Sequence, residues 1–201
     1  PQIARRDRDR SSPSPAKETL RKSLPYLGRW PSSEHMSLRL FAALPIEPQT
    51  ARELKRLQKG VPGARWRPVG NFHITLRFFG DVDERQLEDL DAELSAIMLP
   101  QFAFELGAAN WFGKSDPHTL WMRVEGGETL MDLNAACERA ARRSGLKAET
   151  RHFKPHVTMA YLHNTSVDRL RSFVDRTLDY RSGPLMAQYF SLYKSYLKNN
   201  L

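Results

Sequence analysis

A chain of 201 residues is long enough to bury its own core without a disulfide or metal staple. Its one cysteine, Cys137, excludes an intramolecular disulfide, and no apolar run reaches the roughly 20 residues that span a bilayer. The formal charge of +8 divides evenly: residues 1–36 hold eight Lys/Arg against four Asp/Glu, which leaves +4 for the rest, a balance that suits a polyanionic partner and an ordinary basic protein equally.

Residues 1–36 contain Arg/Asp pairs from Arg5 to Arg10, five prolines, six serines and almost no apolar periodicity. Such a composition buries too little surface to offset ordering entropy, so this segment reads as a flexible basic extension with no secretory h-region. Residues 37–201 read as the folded domain, expected to be a cytoplasmic monomer. Cys137, flanked by Ala135, Ala136 and Ala140, reads as a packed helical thiol rather than a nucleophile.

The body begins with a buried strand, Leu38 to Leu44, closed by Pro45, and Pro48 opens a helix through about Lys59. Gly60, Pro62 and Gly63 form a loop, Arg65 to Arg67 a short extended piece, and Asn71 to Phe79 a strand ending at Gly80. Asp83 caps a helix that sets Leu87, Leu90, Leu94 and Ile97 on one face. A second round follows: strands Phe102–Trp111 and His118–Val124, a helix over 128–143 stopped by Gly145, the strand His156–Leu162, the helix Val167–Leu178, and a last strand or pair from Leu185 to Tyr196. Short strands alternating with helices predict an α+β fold with mostly antiparallel pairing, its two halves variations of one unit.

The halves share a tripeptide. Asn71-Phe72-His73-Ile74-Thr75-Leu76 recurs 83 residues later as Lys154-Pro155-His156-Val157-Thr158-Met159. On a strand, residues two apart share a face, so His73/Thr75 and His156/Thr158 face one way while Ile74/Leu76 and Val157/Met159 enter the core. Two imidazoles flanking a phosphodiester can perform in-line displacement, one accepting the proton of water and the other protonating the leaving oxygen. The threonine hydroxyls can donate to the non-bridging oxygens as charge gathers there. A metal site would need more, since each tripeptide offers one good ligand and no Cys, Asp or Glu stands at ligand spacing; no metal or other cofactor is expected.

With Arg65-Trp66-Arg67-Pro68 and Phe72 to Gly80 ahead, and Phe153-Lys154-Pro155 before the second histidine, the chain resembles the 2H phosphoesterase superfamily. More narrowly, it is similar to the bacterial and archaeal RNA 2′,3′-cyclic phosphodiesterases, once called 2′-5′ RNA ligases. The resemblance runs from about Ser37 to the last strand. It implies a bilobal α+β fold of two pseudo-symmetric antiparallel-sheet lobes with outer helices and a central groove. The partner implied is RNA or an oligonucleotide ending in a 2′,3′-cyclic phosphate, opened to a 2′-phosphate. By the same resemblance His73 is the proton donor, His156 the proton acceptor, and Thr75 and Thr158 bind the phosphate. Many members carry Arg five residues after the second histidine, where this chain has Tyr161. Strand parity turns Tyr161 away from His156, so it joins the phosphate-binding set only if the strand is bulged or bent.

Around this set, Lys154 can share the face of His156, while Arg151, His152 and His163 enrich the rim in positive charge. His118 and His35 have no partner in the sequence. Trp66, Trp111, Phe112 and Tyr193 divide between core packing and a base-stacking platform. The same acid/base pair also suits joining or cleaving 2′-5′ linkages or opening another cyclic nucleotide phosphate, and an RNA- or nucleotide-binding module without turnover is the non-enzyme alternative.

Overall fold

A computed structural model describes residues 37–195; the extension at 1–36, with His35, and Tyr196 at the end of the last expected strand lie outside the described residues. In chain order the elements are β1 (Leu38–Pro45), α1 (Pro48–Leu57), β2 (Ala64–Trp66), β3 (His73–Val82), α2 (Glu84–Ser95), β4 (Phe102–Phe112), β5 (Thr119–Glu125), α3 (Gly127–Arg143), β6 (His156–Leu162), α4 (Val167–Arg176), β7 (Leu185–Ala187) and β8 (Ser191–Lys194). A 3-10 turn at Val69–Asn71 precedes β3.

The expected punctuation sets most boundaries. Pro48 stands in the first turn of α1, where its missing N–H costs nothing. Asp83 caps α2 through a full capping box: its side chain accepts from Gln86 N at 2.8 Å, and the Gln86 side chain accepts from Asp83 N at 3.3 Å. Gly145 ends α3 at φ 73, with its N–H on Arg142 O and the Leu146 N–H on Ala141 O.

Several boundaries differ from expectation: α2 ends at Ser95, short of Ile97, and α4 at Arg176 rather than Leu178. Helix α1 stops at Leu57, because Gln58 leaves the helix and turns its side-chain amide inward. Strand β3 starts at His73 and runs through Gly80 to Val82 instead of ending at the glycine. Leu40 pairs with Gly80 and Phe41 with Phe78, so Phe79 is an extra residue there, and Gly80 at φ 77 supplies the left-handed backbone that lets the strand continue past it.

All strand pairs are antiparallel, in the order β7-β4-β5-β6-β3-β1-β8, with β2 also on β6. The two lobes are halves of one continuous sheet. They meet on β6, whose first part pairs with β3 through Ile74 and Val157, and whose last part pairs with β2 at residues 160–162. Ile74 and Val157 are fully buried, so the seam is anchored in the core beneath the groove. Helices cover the core face: α3 packs on β3 and on α2, and α4 packs on β4. Leu87, Leu90 and Leu94 of α2 are buried as the spacing predicts, as is Cys137 in α3. No helix among the described residues is long and apolar enough to cross a membrane.

Each central strand carries an irregularity at the same place relative to its tripeptide, the second on β3 and the one on β6. On β3, Ala42 pairs with Arg77 and Ala43 with Thr75, leaving Leu76 extra; on β6, Leu120 pairs with Ala160 and Trp121 with Thr158, leaving Met159 extra. Both bulges begin one residue after the threonine. Two successive residues therefore face the core, Leu76/Arg77 and Met159/Ala160, and the following ones, Phe78 and Tyr161, return to the groove face.

Candidate active site

The seam places the tripeptides side by side. With Ile74 opposite Val157 on antiparallel strands, His73 lies across from Thr158 and Thr75 across from His156, a local pseudo-twofold relation. The four motif side chains are half-buried on the groove face, and the alternate residues Ile74, Leu76, Val157 and Met159 are buried, as the alternation predicts.

The rings around the histidines repeat the symmetry. His73 packs on Phe41 from β1 at 4.9 Å between ring centroids and stacks on Tyr193 from β8 at 6.0 Å. His156 meets Trp121 from β5 at 5.8 Å and Phe112 from β4 at 5.1 Å. Each imidazole is thus wedged by one ring from the adjacent strand and one from the strand beyond.

Backbone carbonyls fix the tautomers. His156 Nδ1 lies 2.6 Å from Lys154 O, and since a carbonyl only accepts, Nδ1 carries the proton and Nε2 is left for proton transfer. His73 makes the corresponding backbone hydrogen bond two residues back, to Asn71. Neither threonine hydroxyl has a protein partner among the described residues, so both are free to donate to a ligand.

Burial dominates the electrostatics. It lowers the His73 pKa to about 4, helped by the Arg67 guanidinium and, more weakly, the His156 imidazole, while the Asn71 hydrogen bond opposes. Burial also lowers the His156 pKa, with the Lys154 charge adding to it and the Lys154 carbonyl opposing. Both histidines are therefore neutral at neutral pH in the ligand-free protein, rather than one neutral and one protonated.

Several sequence candidates find their places. Tyr161 reaches the groove face because β6 is bulged at Met159, and the Arg67 guanidinium sits 5.3 Å from its ring centroid. Lys154 shares the face of His156: its Nζ lies 4.6 Å from the Trp121 ring and 5.4 Å from that of Phe112. Of the four proposed stacking aromatics, Phe112 and Tyr193 flank the histidines, whereas Trp66 packs on Phe173 and Trp111 against the core. His118 stacks on Phe112 at 6.2 Å, its Nδ1 3.0 Å from Thr119 Oγ1, and reaches the tripeptides only through Phe112. Exposed His163 turns to Asn164, and neither it nor His152 joins the site. No cluster of three His, Cys, Asp or Glu with metal-holding geometry occurs among the described residues. A cavity of about 400 Å³ lined by Pro45, Glu47, Gln49, Met186 and Tyr189, among others, contains none of the four motif residues.

Three residues behind the groove escaped the sequence reading. Asn134 of α3 donates from Nδ2 to Leu76 O at 2.7 Å, and Gln58 donates from Nε2 to Met159 O at 3.3 Å, beside the Arg67 N–H at 2.8 Å, so each extra residue's carbonyl accepts from a side-chain amide. Arg77, only 7% exposed, pairs with Glu138 at 2.5 Å and donates to Lys147 O and Phe78 O. The one prior signal was Arg77's place four after His73, which strand parity misassigns to the groove face.

Residues 44–182 match the family model of the 2′-5′ RNA ligase superfamily. A Bacillus subtilis protein named RNA 2′,3′-cyclic phosphodiesterase is 28% identical over 168 residues, covering 80% of this chain and 89% of that one. Its namesake from Aeropyrum pernix is 37% identical over 92 residues, covering 45% of this chain and 52% of that one, so that match spans about half the length of the relative. Among solved structures, the apo form of Escherichia coli LigT superposes with a TM-score of 0.66 at 23% identity, covering 83% of this chain and 92% of that one. The same protein complexed with 3′-AMP gives 0.65 at 22%, covering 81% and 91%. At these identities the structures establish the fold.

Proposed function

Because the chain belongs to the 2′-5′ RNA ligase superfamily, we propose that it hydrolyses RNA 2′,3′-cyclic phosphate ends to 2′-phosphomonoesters by two-histidine acid/base catalysis without a metal. The observation that carries this reading is the pair of tripeptides in register across one seam, each histidine hydrogen-bonded to the backbone two residues back, His156 through Nδ1. Eight curated relatives carry the name RNA 2′,3′-cyclic phosphodiesterase, and that activity is extended to this chain here.

In the proposed step His156 Nε2 takes a proton from water as the water oxygen attacks phosphorus. The bond from phosphorus to the 3′ oxygen breaks, and His73 Nε2 supplies that oxygen with its proton. The products are a 2′-phosphate and a 3′-hydroxyl. Thr75 and Thr158 donate to the non-bridging oxygens, and Tyr161 stands beside them on the groove face. With its pKa near 4 in the free protein, His73 can act as the acid only once the bound phosphate anion draws a proton onto it. The reading takes the protein as a cytoplasmic monomer, to be checked by cell fractionation and sedimentation.

The test is incubation with a 2′,3′-cyclic nucleotide in EDTA, followed by analysis of the phosphate position. A 2′-phosphate product is expected, lost in His73→Ala and His156→Ala variants that still fold; full turnover in either variant refutes the reading. The roles separate on a diester with a nitrophenolate leaving group, which needs no proton. There His73→Ala should lose far less activity than His156→Ala, and the reverse pattern would exchange acid and base.

A further inference from the structure

We infer that Arg67 is the guanidinium that clamps the substrate phosphate, and that Tyr161 contributes to the site by holding Arg67 through its ring rather than by binding phosphate through its hydroxyl. The inference rests on the phosphate lying between the tripeptides, as the proposed function has it.

Arg67 follows β2, at the point where the edge of β6 passes from β3 to β2. Its backbone is pinned at both ends: Arg67 N donates to Met159 O at 2.8 Å, and Arg67 O accepts from Gln58 Nε2 at 2.8 Å. Met159 is the extra residue of the β6 bulge, so the feature that returns Tyr161 to the groove face also fixes the residue lying over it. The guanidinium, 5.3 Å from the Tyr161 ring centroid, has no carboxylate partner among the described residues, although Arg77, Arg123, Arg142, Arg143, Arg151 and Arg171 each have one. A half-buried guanidinium lying over a ring and left without a carboxylate among the described residues keeps its fork of N–H donors for an anion, and a phosphate fits that fork bidentately. Its charge also helps to lower the His73 pKa.

The pseudo-twofold relation decides between ring and hydroxyl. Tyr161 stands five residues after His156, and the matching position five after His73 is Phe78, brought to the groove face by the matching bulge. Phe78 is 41% exposed and Tyr161 47%. The two positions share an aromatic face and not a hydroxyl. Among the described residues an arginine lies over that face only on the Tyr161 side, so the symmetry of the histidines is broken there by a cation, and the phosphate charge is drawn to that side.

The variants are Arg67→Met, Arg67→Lys, Tyr161→Phe, Tyr161→Leu and, as a control of equal charge change, Arg65→Met, which sits opposite Tyr161 on β2. Two readouts are needed: NMR titration of the His73 imidazole in the free protein, and binding of inorganic phosphate and of 2′-AMP, alongside hydrolysis of a 2′,3′-cyclic nucleotide. Arg67→Met should raise the His73 pKa, weaken phosphate binding and lower kcat/KM by about 100-fold, the usual scale for one lost charge-stabilising donor. Arg67→Lys should recover part of the binding, Tyr161→Phe should lose far less phosphate affinity than Tyr161→Leu, and Tyr161→Leu should follow Arg67→Met in both readouts. Arg65→Met should leave the His73 titration unchanged. Wild-type phosphate binding in Arg67→Met, or equal losses in Tyr161→Phe and Tyr161→Leu, overturns the inference. Phosphate binding that depends on Arg67 in a protein that opens no cyclic phosphate would sink the proposed reaction and leave the clamp standing.

Discussion

The Asn134 side chain donates from Nδ2 to the backbone carbonyl of Leu76 at 2.7 Å, and Leu76 is the residue at which β3 steps out of register with β1. A bulge leaves a carbonyl without its ladder partner, and a buried carbonyl without a partner costs about 1–3 kcal/mol. The structure meets that need from a helix, which ties the tripeptide strand to α3. Asn134→Ala should therefore cost about 1–2 kcal/mol in urea unfolding and, by loosening the strand beyond Thr75, lower turnover as well. Asn134→Leu, which refills the volume without the donor, should recover little of either. A stability equal to wild type in both variants would show that water or a local shift satisfies the carbonyl.

The tripeptides and their alternation were legible in the sequence because a strand's period is two, and residues 73–76 and 156–159 obey it in both copies. Beyond them the period fails. Parity sends Arg77 to the groove, and the bulge at Leu76 turns it into the core; parity sends Tyr161 into the core, and the bulge at Met159 turns it to the groove. A bulge adds one residue without a compositional mark, and both occur at ordinary strand residues, leucine and methionine. The amides that answer the bulges, Gln58 and Asn134, lie 101 and 58 residues from the carbonyls they serve, so no local pattern connects them. Gly80 was read as a terminator because glycine usually punctuates strands. Here its positive φ carries β3 through a further bulge to Val82.

Arg77 carries the cost of its inward turn. Its charge is buried and paired with Glu138, itself only 23% exposed. Removing one partner of a buried pair costs up to about 3–5 kcal/mol, and Glu138 would keep Arg142 at 4.0 Å and the Glu149 N–H, which sets the loss toward the lower end. Arg77→Met should lose stability on that scale, and adding Glu138→Leu should restore a large part of it, because two apolar side chains leave no charge behind. A double variant as unstable as Arg77→Met would assign the loss to the donors that Arg77 gives to Lys147 O and Phe78 O instead of to the stranded carboxylate.

Cys137 offers a probe of the same layer. Its thiol is fully buried in α3, and burial pushes its pKa up to about 12, so almost no thiolate is present at neutral pH. A small disulfide reagent should react with the native protein only as fast as α3 opens, and the rate should climb with urea in parallel with unfolding. Rapid modification in native buffer would contradict the burial of this helix face.

The depressed histidines make stability depend on pH with a definite sign. His73 binds its proton with a pKa of about 4 when folded against 6.5 when unfolded, so between those values the unfolded chain holds more protons than the folded one. Stability is then full above about pH 6.5 and falls as the pH drops toward 4, with a slope of at most ~1.4 kcal/mol per unit from this group; the lowered pKa of His156 acts in the same direction. His73→Asn cannot take up the proton and keeps a hydrogen-bonding side chain of similar reach, so it should flatten the decline measured by urea unfolding at pH 7, 6 and 5. The activity profile should separate two states of the same group. The pH dependence of kcat/KM reports the free protein, where both histidines titrate below their usual range, while that of kcat reports the complex, where a bound phosphate anion raises them. The low-pH limb of kcat/KM should therefore lie on the acid side of 6.5, and Arg67→Met should move it upward by removing a cation that opposes His73 protonation. Identical limbs in kcat and kcat/KM would mean that the phosphate carries no charge to these imidazoles.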